Sequence, residues 1–156
     1  MMNSKTLKLL SAFSLISILN ISCSTQKNTG KGKLVFQDEF SYKGLPDSSK
    51  WEFEFGGDGF GNNELQFYTK DRTENTRVEN GNLIIEAKKE KWEKNEYTSA
   101  KLITKNTFPF QYGTIEVRAK LPKGKGTWPA IWMLSQNIKE WPDDGEIDIM
   151  EHVGYN

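Results

Sequence analysis

Strict alternation of polar and apolar side chains is the feature that most restricts the fold of this chain. Between residues 114 and 121 every second residue is apolar, namely Ile115, Val117, Ala119 and Leu121. Residues 51–55 alternate in the same way and predict a strand with one buried face. After the N-terminal segment, no amphipathic helical pattern of ten or more residues occurs. Many short strands separated by turn signals predict an all-β sandwich or barrel.

Two glycine-containing segments mark turns between the predicted strands. Asn80-Gly81 predicts a hairpin between residues 77–79 and 82–87. Residues 56–62 form a glycine-rich loop that precedes a short strand at Glu64–Tyr68. Because this loop lacks the strand-then-helix setting of a phosphate-binding loop, it does not indicate nucleotide binding.

Residues 1–23 are typical of an export signal. Two lysines precede an apolar run from Leu9 to Leu19, which is shorter than the roughly 20 residues needed to span a bilayer. Ser22 then precedes Cys23, an arrangement that resembles the lipobox of a bacterial lipoprotein, although Asn20 stands where leucine is usual. The alternative is an ordinary secreted precursor in which the cysteine is incidental.

Lipidation of Cys23 would tether the protein to a membrane and leave its domain soluble. Residues 24–33 are polar and are predicted to form a flexible linker to a domain over residues 34–156. We therefore expect an exported lipoprotein of the outer membrane or cell surface, or alternatively a periplasmic or secreted protein. Cys23 is the only cysteine, so an internal disulfide is excluded.

The charge balance excludes one large class of partners. The chain has 21 basic and 21 acidic residues, and nucleic-acid binding would require a basic excess. Aromatic residues make up 12% of the chain and include five tryptophans, which suits either a carbohydrate cleft or a β core.

Three carboxylates close to the C-terminus form the candidate site. Glu146 and Asp148 share one face of a regular strand, whereas Glu151 would face the other side. A β-bulge at Ile149–Met150 would return Glu151 to the face of the other two. Glycoside hydrolysis requires one carboxylate to attack the anomeric carbon and one carboxylic acid to protonate the leaving oxygen. Two alternatives remain from the spacing alone, an acidic edge strand and a calcium site that includes Asp143 and Asp144.

The segment from Gly145 to Gly154 resembles the active-site signature of glycoside hydrolase family 16. Its extra residue before the last glutamate is similar to that of the laminarinase (endo-1,3-β-glucanase) branch, and agarases and carrageenases share this bulged form. Four further segments match the family in order and spacing: residues 34–40, 61–68, 112–122 and 128–134.

The resemblance implies a fold and a set of roles. The fold would be a two-sheet antiparallel jelly-roll sandwich, similar to concanavalin A. Glu146 would be the nucleophile, Asp148 its supporting carboxylate and Glu151 the acid/base. Substrate-binding residues would be Trp128 and Trp132, which stack on sugar rings, and Asn63, Glu116 and Arg118, which bind hydroxyl groups. For the tryptophans the alternative is core packing, and for the polar residues it is a solvated face.

The resemblance also implies an activity. We expect an endo-acting, retaining hydrolase of β-1,3-glucan, with an agarase- or carrageenase-type enzyme or a non-catalytic β-glucan-binding module as alternatives. No cofactor would be required, a structural calcium ion is compatible with the full-length domain, and the protein would be a monomer. Family members continue beyond the catalytic strand, so we expect residues 1–156 to be the N-terminal part of the enzyme and to be inactive by themselves.

Overall fold

The computed structural model describes residues 32–154, and nine β-strands account for their regular structure. The strands are β1 (Glu52–Glu54), β2 (Gln66–Tyr68), β3 (Thr76–Glu79), β4 (Asn82–Ile85), β5 (Lys88–Trp92), β6 (Asn95–Ser99), β7 (Lys101–Ile103), β8 (Ala130–Leu134) and β9 (Glu146–Glu151). This part of the chain has no helix, which confirms the prediction of an all-β protein.

The strands pair in four small sheets. β1 pairs with β7, β3 with β4 and β8 with β9, all antiparallel. The remaining sheet has the order β2-β6-β5, in which β6 is parallel to β2 and antiparallel to β5. β8 and β9 therefore form the hairpin on which the C-terminal carboxylates lie.

The predicted hairpin at Asn80-Gly81 is confirmed. Both residues have positive φ, 52° at Asn80 and 72° at Gly81. Two positive φ angles in a two-residue loop match the right-handed twist of the flanking strands, which explains why this dipeptide joins β3 to β4.

Buried polar side chains lie at the centre of this fold and hydrogen-bond to one another. Asn75 and Thr98 are fully buried. Asn75 Oδ1 accepts hydrogen bonds from Thr69 Oγ1 and Arg72 Nη1, each at 2.8 Å. Asn75 Nδ2 donates to Thr98 Oγ1 at 2.9 Å, and Arg72 also binds Glu90. Because a buried polar group without a partner is costly, this network fixes how strands β3, β5 and β6 meet.

An aromatic cluster packs near the start of the described chain. The rings of Phe36 and Phe108 stack with centroids 4.9 Å apart, and Phe36 meets Trp51 edge-to-face at 5.8 Å. Asp38 accepts hydrogen bonds from the Trp51 indole at 2.9 Å and from the backbone N–H of Phe40 at 3.0 Å. Burial opposes ionisation of Asp38, but these hydrogen bonds outweigh it and lower its pKa.

Two strand predictions are wrong in detail. Residues 114–121 do not form a strand, because no described segment forms a hydrogen-bonded ladder with them. The alternating pattern shows which side chains could be buried by a neighbouring layer, but it does not show which strand would hydrogen-bond to the segment. In the other case, β1 lacks a single buried face: Glu52, Phe53 and Glu54 are all half-buried, and Phe55 is exposed. One-sided burial needs a second layer over the strand.

The predicted signal segment 1–23, lipidation at Cys23 and linker residues 24–31 lie outside the described residues. Within residues 32–154, no helix has the length and apolar character required to cross a membrane.

Candidate active site

Strands β8 and β9 carry the three predicted carboxylates. Their register contains three relevant pairs: Leu134–Glu146, Trp132–Asp148 and Ala130–Glu151. Residues opposite each other in a ladder point to the same side of the sheet, as do alternate residues of one strand. Since positions 130, 132 and 134 alternate along β8, the three carboxylates lie on one side, here called the carboxylate face.

A β-bulge in β9 makes this arrangement hold. Asp148 is opposite Trp132 and Met150 is opposite Ile131, so Ile149 is an extra residue between two regular stretches of ladder. The bulge predicted at Ile149–Met150 is thereby confirmed. In a regular strand, Glu151 would point to the side opposite Glu146.

Each of the two glutamates accepts a hydrogen bond from an indole. Trp141 Nε1 donates to Glu146 Oε2 at 2.7 Å, and Trp128 Nε1 donates to Glu151 Oε1 at 2.8 Å. Both glutamates are exposed to solvent. One oxygen of each carboxylate is thus held by an indole N–H.

The role of Trp141 was not predicted from the sequence. This residue lies in the loop between β8 and β9, where no periodic pattern relates its side chain to the strand that follows. The available signal was its identity, an aromatic residue followed by proline five positions before Glu146. Trp141 is 65% exposed, which is unusual for tryptophan and typical of a binding surface.

The two tryptophans predicted to stack on sugars differ in their surroundings. Trp128 is 52% exposed and its indole is fixed by Glu151, so a ring face beside the candidate acid/base remains open. Trp132 is half-buried and lies on the carboxylate face, but the Lys101 Nζ lies over its ring, 4.8 Å from the centroid. One face of Trp132 is therefore covered by a cation.

The three residues predicted to bind sugar hydroxyls lie on segments other than the β8–β9 hairpin that carries the carboxylates. Asn63 is exposed in the turn that follows the glycine-rich loop. Glu116 lines a groove of about 470 Å³ together with Ile131 and Met150, which the β8–β9 register directs away from the carboxylate face. Arg118 is exposed on the same extended segment as Glu116. Sugar binding by these three residues stays a prediction.

The turn that holds Asn63 is anchored through Glu64. The Tyr68 hydroxyl donates to Glu64 Oε2 at 2.7 Å, and its ring contacts Phe60 with centroids 5.0 Å apart. Burial, and then the hydrogen bond to Glu64, raise the pKa of Tyr68 well above its usual range. The tyrosine therefore stays a neutral donor, and it ties the glycine-rich loop to strand β2.

Within residues 32–154, no group of three or more His, Cys, Asp or Glu side chains is arranged to hold a metal ion. Asp144, which one alternative assigned to a calcium site, instead accepts hydrogen bonds from the backbone N–H groups of Lys139 and Glu140. These bonds, the one from Lys139 first, lower the pKa of Asp144.

Comparison with known proteins gives concordant matches. The family described as the XgeA-like, catalytic GH16 domain matches residues 51–156. A β-glucanase of Rhodothermus marinus is 53% identical in an alignment of 151 positions that covers 91% of this chain and 52% of that protein. A glucan endo-1,3-beta-glucosidase of Cryptopygus antarcticus is 46% identical in an alignment of 132 positions that covers 80% of this chain and 47% of that protein.

The structural comparison agrees. The crystal structure of the laminarinase from Rhodothermus marinus matches with a TM-score of 0.76 and 57% identity, over 80% of this chain and 51% of that one. The fold is therefore that of the jelly-roll laminarinases, as the sequence predicted. The chain spans about half the length of the curated relatives it matches.

Proposed function

This chain belongs to glycoside hydrolase family 16, and from that membership we propose that the protein is an endo-acting hydrolase of β-1,3-glucan that retains anomeric configuration. The proposal takes its substrate class from the similar proteins, a laminarinase and a glucan endo-1,3-beta-glucosidase. The observation that carries it is the position of Glu146 and Glu151 on one face of the β8–β9 hairpin.

Hydrolysis would proceed in two displacements. Glu146 attacks the anomeric carbon while Glu151 donates its proton to the departing glycosidic oxygen, which leaves a glycosyl ester on Glu146. Glu151, now a carboxylate, takes a proton from water as the water oxygen attacks the same carbon and releases Glu146. Two inversions at one carbon give net retention.

Asp148 would support the nucleophile from between the two glutamates. It lies on the carboxylate face opposite Trp132. A carboxylate in this position restricts how Glu146 can turn, while the Trp141 indole holds one of the Glu146 oxygens. Both restraints favour a nucleophile that is oriented before the substrate arrives.

The open Trp128 ring suits a polysaccharide rather than a small glycoside. An aromatic face presents a surface for the C–H side of a sugar ring, and Trp128 lies directly beside Glu151. Since the carboxylate face is exposed along β9, a chain can lie across it and be cleaved internally.

A neutral glucan suits the charges near Trp132 better than a sulfated polysaccharide does. The cation closest to this ring, Lys101, is paired with Glu54 Oε2 at 2.8 Å. A sulfate group would have to displace that carboxylate, at a cost that a neutral hydroxyl avoids.

Export and anchoring form a further part of the proposal. It is supported by the apolar run before Ser22-Cys23, and it predicts an acylated monomer on the outer membrane or cell surface. Radiolabelled fatty acid should enter the wild-type protein and not the Cys23→Ser variant. Incorporation into that variant would contradict lipidation at this site.

The decisive experiment measures reducing ends released by the natural full-length protein from laminarin, mixed-linkage glucan, agarose and carrageenan. We expect the highest rate on laminarin, with the β-anomer as the first product by NMR, and activity that survives treatment with a chelator. Cleavage of agarose or carrageenan alone would refute the substrate, and an initial α-anomer would refute the retaining mechanism.

A further inference from the structure

The loop between β8 and β9 is closed on itself around a single carboxylate. Asp144 Oδ2 accepts hydrogen bonds from the backbone N–H groups of Lys139 and Glu140, the latter at 3.0 Å. The backbone N–H of Asp144 in turn donates to the carbonyl oxygen of Glu140 at 3.0 Å, and that of Gly145 donates to Pro142 at 2.9 Å. Residues 140 and 144 are therefore joined by two reciprocal hydrogen bonds.

Trp141 lies inside this closed segment, directly after Glu140. Its indole donates to Glu146 Oε2 at 2.7 Å, two residues beyond Asp144. Because Trp141 is 65% exposed, packing against other side chains provides little of its orientation. The backbone conformation of the loop must supply the rest, and Asp144 is the side chain that holds that conformation.

We infer that Asp144 is a positioning residue, which fixes the orientation of the nucleophile Glu146 through the indole of Trp141. The inference rests on the proposed function, since it assigns a role within the same reaction. The Asp144 carboxylate binds backbone N–H groups of its own loop, so its effect on the reaction passes through Trp141. By holding Trp141 in place, it keeps one Glu146 oxygen bound to the indole and leaves the other to attack the anomeric carbon.

The chemistry of the loop suits this role. A carboxylate that accepts two backbone N–H groups forms stronger, charge-assisted hydrogen bonds than a neutral acceptor would. These bonds, the one from Lys139 first, lower the pKa of Asp144 below its ordinary value, so the carboxylate stays ionised in mildly acidic as well as neutral solution. Displacement of a reacting group by 1 Å can lower a rate by about 100-fold, so a modest change in the loop is enough to be measured.

The test compares four single variants and one double variant of the natural full-length protein. Asp144→Ala should lower kcat on laminarin by roughly 10- to 100-fold with little change in KM. Asp144→Asn keeps an acceptor oxygen and should recover most of that loss. Asp143→Ala is the matched control: this neighbour is also an exposed aspartate, and its removal should leave kcat unchanged. A loss in Asp143→Ala as large as that in Asp144→Ala would overturn the inference.

The fourth variant, Trp141→Phe, tests the route. If Asp144 acts through Trp141, adding Asp144→Ala to Trp141→Phe should cause no further loss of kcat. Independent, multiplying losses would overturn the inference.

A readout besides activity separates this inference from the proposed function. In the 15N NMR spectrum, the indole N–H signal that disappears in Trp141→Phe should exchange slowly with solvent in the wild type and quickly in Asp144→Ala. An exchange rate that Asp144→Ala does not change would overturn the inference. A wild-type protein that cleaves no β-glucan refutes the proposed function, and the NMR comparison still decides whether Asp144 holds Trp141.

Discussion

The side-chain nitrogen of Lys101 lies 4.8 Å from the centre of the Trp132 ring. The same nitrogen lies 4.8 Å from the Phe60 ring and 2.8 Å from Glu54 Oε2. One cation on β7 thus contacts the glycine-rich loop, strand β1 and strand β8, which pairs with the carboxylate-bearing strand β9. Its side chain is only 17% exposed, so these contacts are partly shielded from water.

Replacement of this cation should affect both stability and substrate binding. Lys101→Met keeps the length of the side chain and removes its charge, and we expect a loss of roughly 1–2 kcal/mol in the free energy of unfolding. Because Trp132 and Phe60 lose a shared anchor, KM for laminarin-type oligosaccharides should rise more than kcat falls. Urea unfolding and steady-state kinetics measure the two effects.

Lys70 provides the control for this prediction. Its nitrogen lies 5.9 Å from the Phe55 ring, and both residues are exposed. Lys70→Met should therefore leave stability and KM nearly unchanged, and Lys101→Arg should retain wild-type behaviour. Equal effects of Lys70→Met and Lys101→Met would show that the position of Lys101 has no special role.

The roles of the two glutamates can be separated chemically. Glu146→Gln and Glu151→Gln should each lower kcat by roughly 10²- to 10⁴-fold, since each removes one of the two carboxyl groups that the reaction requires. Shortening each residue to alanine leaves room for azide. Azide should then yield an α-glycosyl azide with Glu146→Ala and a β-glycosyl azide with Glu151→Ala, because it replaces the nucleophile in one case and the incoming water in the other.

Product stereochemistry by NMR distinguishes these outcomes. The reverse pairing of variant and anomer would exchange the assigned roles. Unfolding midpoints equal to wild type serve as the control, since both glutamates are exposed and their loss should not disturb the fold.

Gly57 is predicted to tolerate no side chain. A Cβ at this position would lie 2.4 Å from Asn95 Oδ1 and 2.6 Å from a ring carbon of Phe67. Gly57→Ala should therefore lower the free energy of unfolding by roughly 1–3 kcal/mol, through displacement of strand β6 or the loop. Gly113→Ala is the comparison, because a Cβ there meets no atom within 4 Å. Chemical unfolding of both variants measures the difference, and equal stability would contradict the packing described.

Acid should destabilise the fold through Glu90. Hydrogen bonds from Arg72 and then from Thr98 lower the pKa of Glu90 to about 2 from an ordinary value of 4.5. A folded-state pKa below the unfolded-state value means that Glu90 stabilises the protein above pH 4.5 and that this contribution disappears as the pH falls toward 2. Glu90→Gln should be less stable than wild type at pH 6.

The pH dependence itself provides the check on Glu90. The difference in urea midpoint between wild type and Glu90→Gln should shrink as the pH falls from 4.5 to 2. A difference that stays constant over this range would mean that the charge of Glu90 does not contribute. Lys89→Gln, on the neighbouring exposed residue of β5, should show no such pH-dependent difference.

The shared face of the three carboxylates could be predicted, because it depends only on how many positions separate them along the strand. Glu151 lies five positions after Glu146, and because this offset is odd, a shared face requires one extra residue, which the β8–β9 register contains at Ile149. The hairpin at Asn80-Gly81 was predictable for a similar reason, since few dipeptides accept two positive φ angles.

Contacts between residues that are far apart in the sequence could not be predicted from spacing along the chain. Lys101 and Trp132 are far apart in the sequence, and no local pattern pairs a lysine with a particular ring. Trp141 lies in a loop, where side-chain direction follows from turn geometry rather than from a period. The segment 114–121 shows the converse: its alternation is clear, but the pattern does not reveal which strand would hydrogen-bond to it.

The bulge at Ile149 gives the active-site strand an unequal tolerance of changes in length. Deletion of Ile149 would restore ordinary alternation and keep Glu146, Asp148 and Glu151 on one side, with only the local twist altered. Insertion of one more residue at the same point would also give an even spacing, but in a regular ladder it would carry Glu151 past Ala130 and farther from Glu146. We therefore expect natural variants of this strand to be shorter by one residue rather than longer, with Glu151 still on the carboxylate face.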